Sequence, residues 1–91
     1  GQAYKEKKRI QSEIRRLKTA IKQAEEEIES AEGELERLNN ELSNPETVSD
    51  YLLTMELTEQ CRLCEEGLNE AVDRWERLST DLERIEAEAE L

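Results

Sequence analysis

Apolar residues recur along the first half of the chain at alternating spacings of four and three positions. This alternation continues without interruption from Ile10 to Leu42. It places the side chains on one face of an α-helix, as at the core positions of a heptad repeat. The pattern therefore predicts one helix over about residues 5–43. Its apolar face, called here the first seam, consists of Ile10, Ile14, Leu17, Ile21, Ala24, Ile28, Ala31, Leu35, Leu38 and Leu42.

The same spacing returns in the second half of the chain, from Leu57 to Ala89. It predicts a second helix over about residues 51–89. The second seam consists of Leu57, Cys61, Cys64, Leu68, Ala71, Trp75, Leu78, Leu82, Ile85 and Ala89. Before Leu57 the phase is unclear, because apolar residues cover several faces of the helix at positions 51, 52, 53 and 55.

A cluster of helix-breaking residues separates the two seams. Pro45 suits the first position of a helix, and the side chain of Asn44 can accept a hydrogen bond from a backbone amide there. Thr47 with Asp50, or Ser49 itself, offers a second start signal. We therefore expect a tight connector over about residues 44–50, with room for one helical turn.

Two helices of similar length joined by a short connector are expected to fold back on each other. One antiparallel register gives every seam residue a partner, and it places small residues such as Ala31 and Cys64 opposite each other. The prediction is an all-α fold in which two long helices form an intramolecular antiparallel coiled-coil hairpin, a single monomeric domain over residues 1–91. We expect its structural core to include Ile14, Ile21, Ile28, Leu35, Leu68, Trp75 and Leu82.

The composition agrees with this fold and excludes several kinds of site. Only 35% of the residues are hydrophobic and 3% aromatic, against 41% charged. There is no histidine, which removes imidazole bases and most zinc sites, and the three glycines are isolated. No run approaches the length of a membrane span. We therefore predict no catalytic residues, no cofactor and no membrane association.

Cys61 and Cys64 have the spacing of a metal or redox motif. Both lie on the second seam, where a reduced cysteine behaves as a small hydrophobic residue. A zinc site would need two further ligands, and the chain has no other cysteine. We interpret the pair as structural, with no metal. Two cysteines without a secretion signal favour a reducing, cytoplasmic location.

Charge is distributed unevenly along the chain. The formal net charge is −11, yet residues 1–24 are basic. Lys8, Arg15 and Lys22 recur every seven positions, outside the seam, and other basic residues lie beside them. These residues form an outward-facing row suited to a phosphate backbone. The candidate nucleic-acid-binding residues, called here the basic row, are Lys5, Lys8, Arg9, Arg15, Arg16 and Lys22.

A second interpretation of the basic row remains open. The antiparallel fold brings it beside the acidic end of the second helix, so the opposite charges could simply hold the open end of the hairpin together. The acidic residues concerned are Asp81, Glu83, Glu86, Glu88 and Glu90.

Three segments resemble the C-terminal coiled-coil domain of ABC-F ATPases of the Uup type. They are Tyr4-Lys5-Glu6-Lys7-Lys8-Arg9, Asn44-Pro45-Glu46 and Arg74-Trp75-Glu76-Arg77-Leu78. The resemblance implies an antiparallel two-helix hairpin that follows the second ATPase cassette of a cytoplasmic protein with translation-related roles. It also implies an association with DNA or ribosomal RNA. ATPase motifs are absent from this chain, so ATP hydrolysis would belong to the rest of such a protein.

The sequence thus supports two hypotheses. The leading one is a non-catalytic accessory arm of such an ATPase that contacts nucleic acid or the ribosome through the basic row. The alternative is a purely structural or protein-interaction coiled-coil spacer.

Overall fold

The computed structural model describes residues 1–90, which form three helices in chain order. These are α1 (Gln2–Leu42), α2 (Pro45–Val48) and α3 (Tyr51–Glu90). The two long helices α1 and α3 pack against each other as an antiparallel hairpin, which confirms the predicted fold class. The hairpin is a rod with extents of 71 × 16 × 14 Å. We call the end that carries α2 the tip and the opposite end the open end.

The length of α1 and α3 follows from the residues that they lack. Neither contains a proline, and each contains a single internal glycine, Gly33 or Gly67. The 41 residues of α1 span about 60 Å at the usual rise per residue. Helix α1 begins at Gln2, earlier than the residue 5 predicted, because the three added residues, Gln2, Ala3 and Tyr4, include no proline or glycine to oppose helix formation.

Side-chain caps set the two helix starts at the tip. The Oδ1 of Asn44 accepts a hydrogen bond from the backbone N–H of Glu46 at 3.0 Å, and Pro45 occupies the first position of α2. The Oδ1 of Asp50 accepts from the N–H of Leu53 at 3.1 Å, which caps α3. These caps satisfy amides that have no partner inside their helices, so the chain reverses direction over a few residues.

The tip is also held by a contact between α2 and α3. The hydroxyl of Thr54 donates to the carbonyl oxygen of Thr47 at 2.9 Å. At the end of α1, the hydroxyl of Ser43 donates to the carbonyl of Asn39 at 2.9 Å. The first bond thus fixes α2 to α3, and the second closes the last turn of α1.

The core is a single line of side chains between α1 and α3. Its fully buried members all belong to the predicted seams, and Leu38, Leu57 and Cys61 form a cluster near the tip. Among residues 1–90, the buried residues are Leu17, Ala24, Leu38, Leu57, Cys61 and Ala71. A two-helix rod has no deeper interior, so these residues mark the centre of the contact.

The residues predicted to form the core are half-buried, not fully buried. This applies to all of Ile14, Ile21, Ile28, Leu35, Leu68, Trp75 and Leu82. If Ile14 in α1 and Leu68 in α3 are each given heptad position a, all seven occupy a, whereas every buried residue except Cys61 occupies d. Burial therefore reaches deepest at d positions, about half of which are buried, whereas Cys61 is the buried a position.

Small residues meet where the sequence places them opposite each other. The thiol of Cys64 donates to the carbonyl oxygen of Ala31 at 3.3 Å, as the predicted register requires. Ala24 and Ala71, the next predicted small pair, are both buried. Side chains of this size allow the backbones to approach closely in the middle of the rod.

Candidate nucleic-acid interface

The basic row lies on the outer surface of α1, in the half of the helix nearer the open end. All six of its side chains are exposed, as expected for positions outside the seam. The row belongs to one uninterrupted helix, so its residues keep fixed spacings along the rod.

Two members of the row are paired with acidic residues of the same helix. Arg9 contacts Glu6 at 2.6 Å, and Arg16 contacts Glu13 at 2.5 Å, each one helical turn apart. The hydrogen bonds from the arginines lower the pKa of both carboxyl groups. The same bonds raise the pKa of Arg9 and Arg16.

Lys8 has a different partner. Its Nζ lies 5.5 Å from the centroid of the Tyr4 ring, which is a cation–π geometry. Tyr4 is itself exposed, so this contact orients the ammonium group without covering it. Lys8 can therefore still meet a phosphate.

The other basic side chains of residues 1–24 have no ion-pair partner within residues 1–90. Glu6 and Glu13 are the only acidic residues before position 25, and both are already paired. The cations left in excess are Lys5, Lys7, Lys8, Arg15, Lys18 and Lys22. Lys7 and Lys18 were not among the predicted residues of the basic row. A count of the charged residues before position 25 is enough to identify them as further unpaired cations.

The acidic end of α3 makes no ion pair with the basic row in the part of the chain that the structure describes. Glu88 and Asp81 are near enough only to raise the pKa of Arg9 and Arg16 slightly, as minor contributions after the paired glutamates. The ion pair that does join the two long helices, between Arg74 and Glu27, lies further along the rod. The basic row is therefore open to solvent and to a ligand.

Elsewhere the arginines are largely engaged within their own helices. Arg37 contacts Glu34 and Glu41, Arg62 contacts Glu59 and Glu66, and Arg84 contacts Asp81. With the other acidic residues added, the surface beyond position 24 is strongly negative. The basic surface is thus confined to one face near the open end.

The cysteine pair lies away from this surface. Cys61 is buried and Cys64 half-buried, and both are free thiols. Burial raises the pKa of Cys61, and the nearby Glu65 adds to the effect. Within residues 1–90, no cluster of three or more metal-ligating side chains occurs, and no helix is long and apolar enough to cross a membrane.

Comparison with known proteins adds one finding. The sequence model of the ABC transporter C-terminal domain matches residues 1–80, a stretch that covers α1, α2 and most of α3. No curated protein matches the chain, and no solved structure does. The chain belongs to the ABC transporter C-terminal domain family.

Proposed function

We propose that this domain is the accessory arm of a cytoplasmic ABC-F ATPase, and that it contacts the phosphate backbone of DNA or ribosomal RNA through the basic row on α1. The observation that carries the proposal is the concentration of unpaired cations on one exposed face of an otherwise acidic rod. Catalysis belongs to the ATPase cassettes of the parent protein. This arm contributes binding and positioning.

The spacing of the row suits a nucleic-acid backbone. Positions 5 to 22 of a straight helix span about 26 Å at 1.5 Å per residue, a length that faces several phosphates of one strand. Lysine side chains bind phosphates as point charges, and arginine side chains bind them through the paired N–H groups of the guanidinium. The exposed Tyr4 ring lies against Lys8. Stacking on an aromatic ring tolerates any base, so the contact positions the nucleic acid without reading its sequence.

The local pairing of charges supports the proposal that an acidic chain holds a basic face. The two acidic residues in the basic segment pair with Arg9 and Arg16, and the acidic end of α3 makes no ion pair with the row within residues 1–90. Local charge, over distances near the Debye length of about 8 Å at physiological salt, governs a contact of this kind more than net charge does. The face therefore attracts phosphate even though the whole chain is negative.

The test compares two triple variants of equal net charge. One removes unpaired cations of the row (Lys5→Gln, Arg15→Gln and Lys22→Gln), and the other removes arginines elsewhere (Arg62→Gln, Arg77→Gln and Arg84→Gln). Binding to duplex DNA and to a structured ribosomal RNA fragment is measured over a series of salt concentrations. Circular dichroism verifies that both variants stay helical, because none of these residues belongs to a seam.

We expect the row variant to lose affinity and its log–log salt slope to fall by up to about 0.9 per duplex phosphate contact removed. The control variant should bind like the original chain. Equal losses in the two variants would show that only bulk charge matters. If the row variant binds nucleic acid as well as the original chain but has a lower Tm, the alternative hypothesis of a purely structural spacer is supported instead.

A further inference from the structure

The tip of the hairpin exposes large apolar side chains. Tyr51 and Leu52 are 73% and 76% exposed, although both lie in the first turn of a long helix. Met55, one turn further along α3, and Val48, at the end of α2, are exposed as well. We call these four residues the tip patch. Exposed apolar residues scattered singly are ordinary, but a group at one end of a rod suggests a contact site.

The tip patch is built on a rigid turn. Asn44 caps α2 and Asp50 caps α3, and the hydroxyl of Thr54 donates to the carbonyl of Thr47. Leu57, which follows directly, is buried against Leu38. The apolar side chains are thus presented on a fixed backbone, so binding them costs little conformational entropy.

Acidic residues surround the tip patch, and basic ones are absent from this part of the chain. No lysine or arginine occurs between Arg37 and Arg62. In that interval Glu46, Asp50 and Glu56 are exposed next to the apolar side chains. The tip is therefore an apolar surface with a purely negative rim.

We propose that the tip patch docks into an apolar pocket on a protein partner whose rim carries lysine and arginine side chains. A tyrosine with flanking aliphatic residues is a common anchor at protein interfaces, and complementary rim charges give such a contact its specificity. The negative rim repels nucleic acid and anionic lipid surfaces, and it also repels the tip of a second copy. A basic-rimmed protein pocket satisfies both the apolar and the charged part of the surface.

This surface is separate from the basic row, because the two lie towards opposite ends of a rod 71 Å long. The inference therefore goes beyond the proposed contact with nucleic acid, and either one can fail without the other. If both hold, one arm connects a nucleic acid near the open end with a protein at the tip.

The chemistry of the pocket can be tested with synthetic peptides. The probe is a set of amphipathic helical peptides that carry a leucine face flanked by lysines, together with counterparts in which glutamate replaces lysine. Each peptide is titrated into the ¹⁵N-labelled chain at physiological salt, and backbone chemical shifts locate the binding surface. A structured RNA and vesicles of anionic phospholipid are titrated in parallel.

We expect the lysine-flanked peptides to shift resonances of residues 48–55 and the glutamate-flanked ones to leave them unchanged. Leu52→Ser and Tyr51→Ser should each weaken the peptide at least tenfold. Leu63→Ser is the matched control, because Leu63 is also an exposed leucine of α3 but lies outside the tip, and it should have no effect. Glu46→Gln with Glu56→Gln should weaken binding, whereas Glu29→Gln with Glu86→Gln should not.

Several outcomes would overturn the proposal. The tip patch would not be the apolar anchor if chemical shifts changed along the whole acidic surface or if Leu63→Ser weakened binding as much as Leu52→Ser. The same conclusion would follow if no lysine-flanked peptide shifted resonances at the tip. A tip response to the RNA or to the vesicles would assign the patch to another class of ligand. Sedimentation that shows a dimer dissociated by Leu52→Ser would make a second copy the occupant.

Discussion

Arg74 in α3 and Glu27 in α1 form the one ion pair between the two long helices in the part of the chain that the structure describes. Both side chains are about half exposed, at 44% and 50%. The pair lies beside Trp75, at the edge of the seam. An ion pair in water-accessible surroundings favours one alignment of the helices without carrying much of their stability.

The substitution Arg74→Gln should therefore lower the free energy of unfolding by less than about 1 kcal/mol. In a double-mutant cycle with Glu27→Gln, measured by urea denaturation, the coupling energy should be about 0.2–1 kcal/mol and should shrink as salt is added. Arg77→Gln removes an arginine without an ion pair in residues 1–90 and serves as the control. A coupling above about 2 kcal/mol would mean that the pair is shielded from solvent.

Truncation of the buried cluster should cost more. Leu38 is fully buried against Leu57 and Cys61, so Leu38→Ala should destabilise the hairpin by about 2–5 kcal/mol. Leu35→Ala, one turn earlier at a half-buried position, should cost clearly less. Urea denaturation followed by circular dichroism measures both. Equal losses would contradict the distinction between central d positions and peripheral a positions.

Gly67 and Gly33 each offer a stabilising substitution. Apart from the neighbouring residues and backbone of its own helix, a Cβ added at either position would meet no atom within 4 Å, and both residues lie inside long helices. Gly67→Ala and Gly33→Ala should each raise the free energy of unfolding by roughly 0.5–1 kcal/mol, because alanine loses less backbone entropy. The reverse change at the buried Ala71, Ala71→Gly, should be destabilising. A lower Tm for Gly67→Ala would show that α3 needs flexibility at that point.

The Glu13–Arg16 pair predicts a pH effect of known sign. The hydrogen bond from Arg16 lowers the pKa of Glu13 in the folded chain. Its contribution to stability is therefore complete above the ordinary carboxyl pKa and disappears as the pH falls through the lowered value. In the variant Arg16→Gln, the pKa of Glu13, measured by carboxyl ¹³C NMR, should rise towards its ordinary range. Arg37→Gln should raise the pKa of Glu34 and leave that of Glu13 unchanged.

Cys61 should react slowly with iodoacetamide. Burial raises its pKa, so little thiolate is present at pH 7, and the side chain is also covered by α1. Alkylation followed by mass spectrometry should show modification at Cys64 before Cys61. Leu38→Ala, which opens the cluster around Cys61, should speed its modification. Rapid modification of Cys61 in the original chain would contradict the closed packing.

The fold was predictable because two uninterrupted seams specify the helices and a short connector specifies their direction. The depth of burial within the seams was not predictable. Whether position a or d faces the centre depends on how each helix is rotated about its own axis, and the heptad spacing is the same in both cases. Leu35 and Leu38 illustrate this, since both fit the seam and only Leu38 is fully buried.

The position of the candidate site on α1 was predictable, and so was the pairing of two of its arginines. The seven-residue spacing of Lys8, Arg15 and Lys22 places them outside the seam, and their side chains are exposed. The pairing of Arg9 and Arg16 depends on glutamates one turn earlier, a local spacing that can be read from the sequence. The tip patch was not predictable, because the apolar residues near the tip follow no regular period that would show which of them face solvent.

The length and thinness of the rod have a mechanical consequence. Its two long helices pack against each other along the rod, and the Thr54–Thr47 hydrogen bond fixes α2 to α3 at the tip, so the rod should turn nearly as a stiff body. A small rotation imposed at the open end would then sweep Tyr51 and Leu52 through a much longer arc than Lys8 or Arg15. An angular change too slight to disturb the charged face could thus engage or release whatever the distal residues touch.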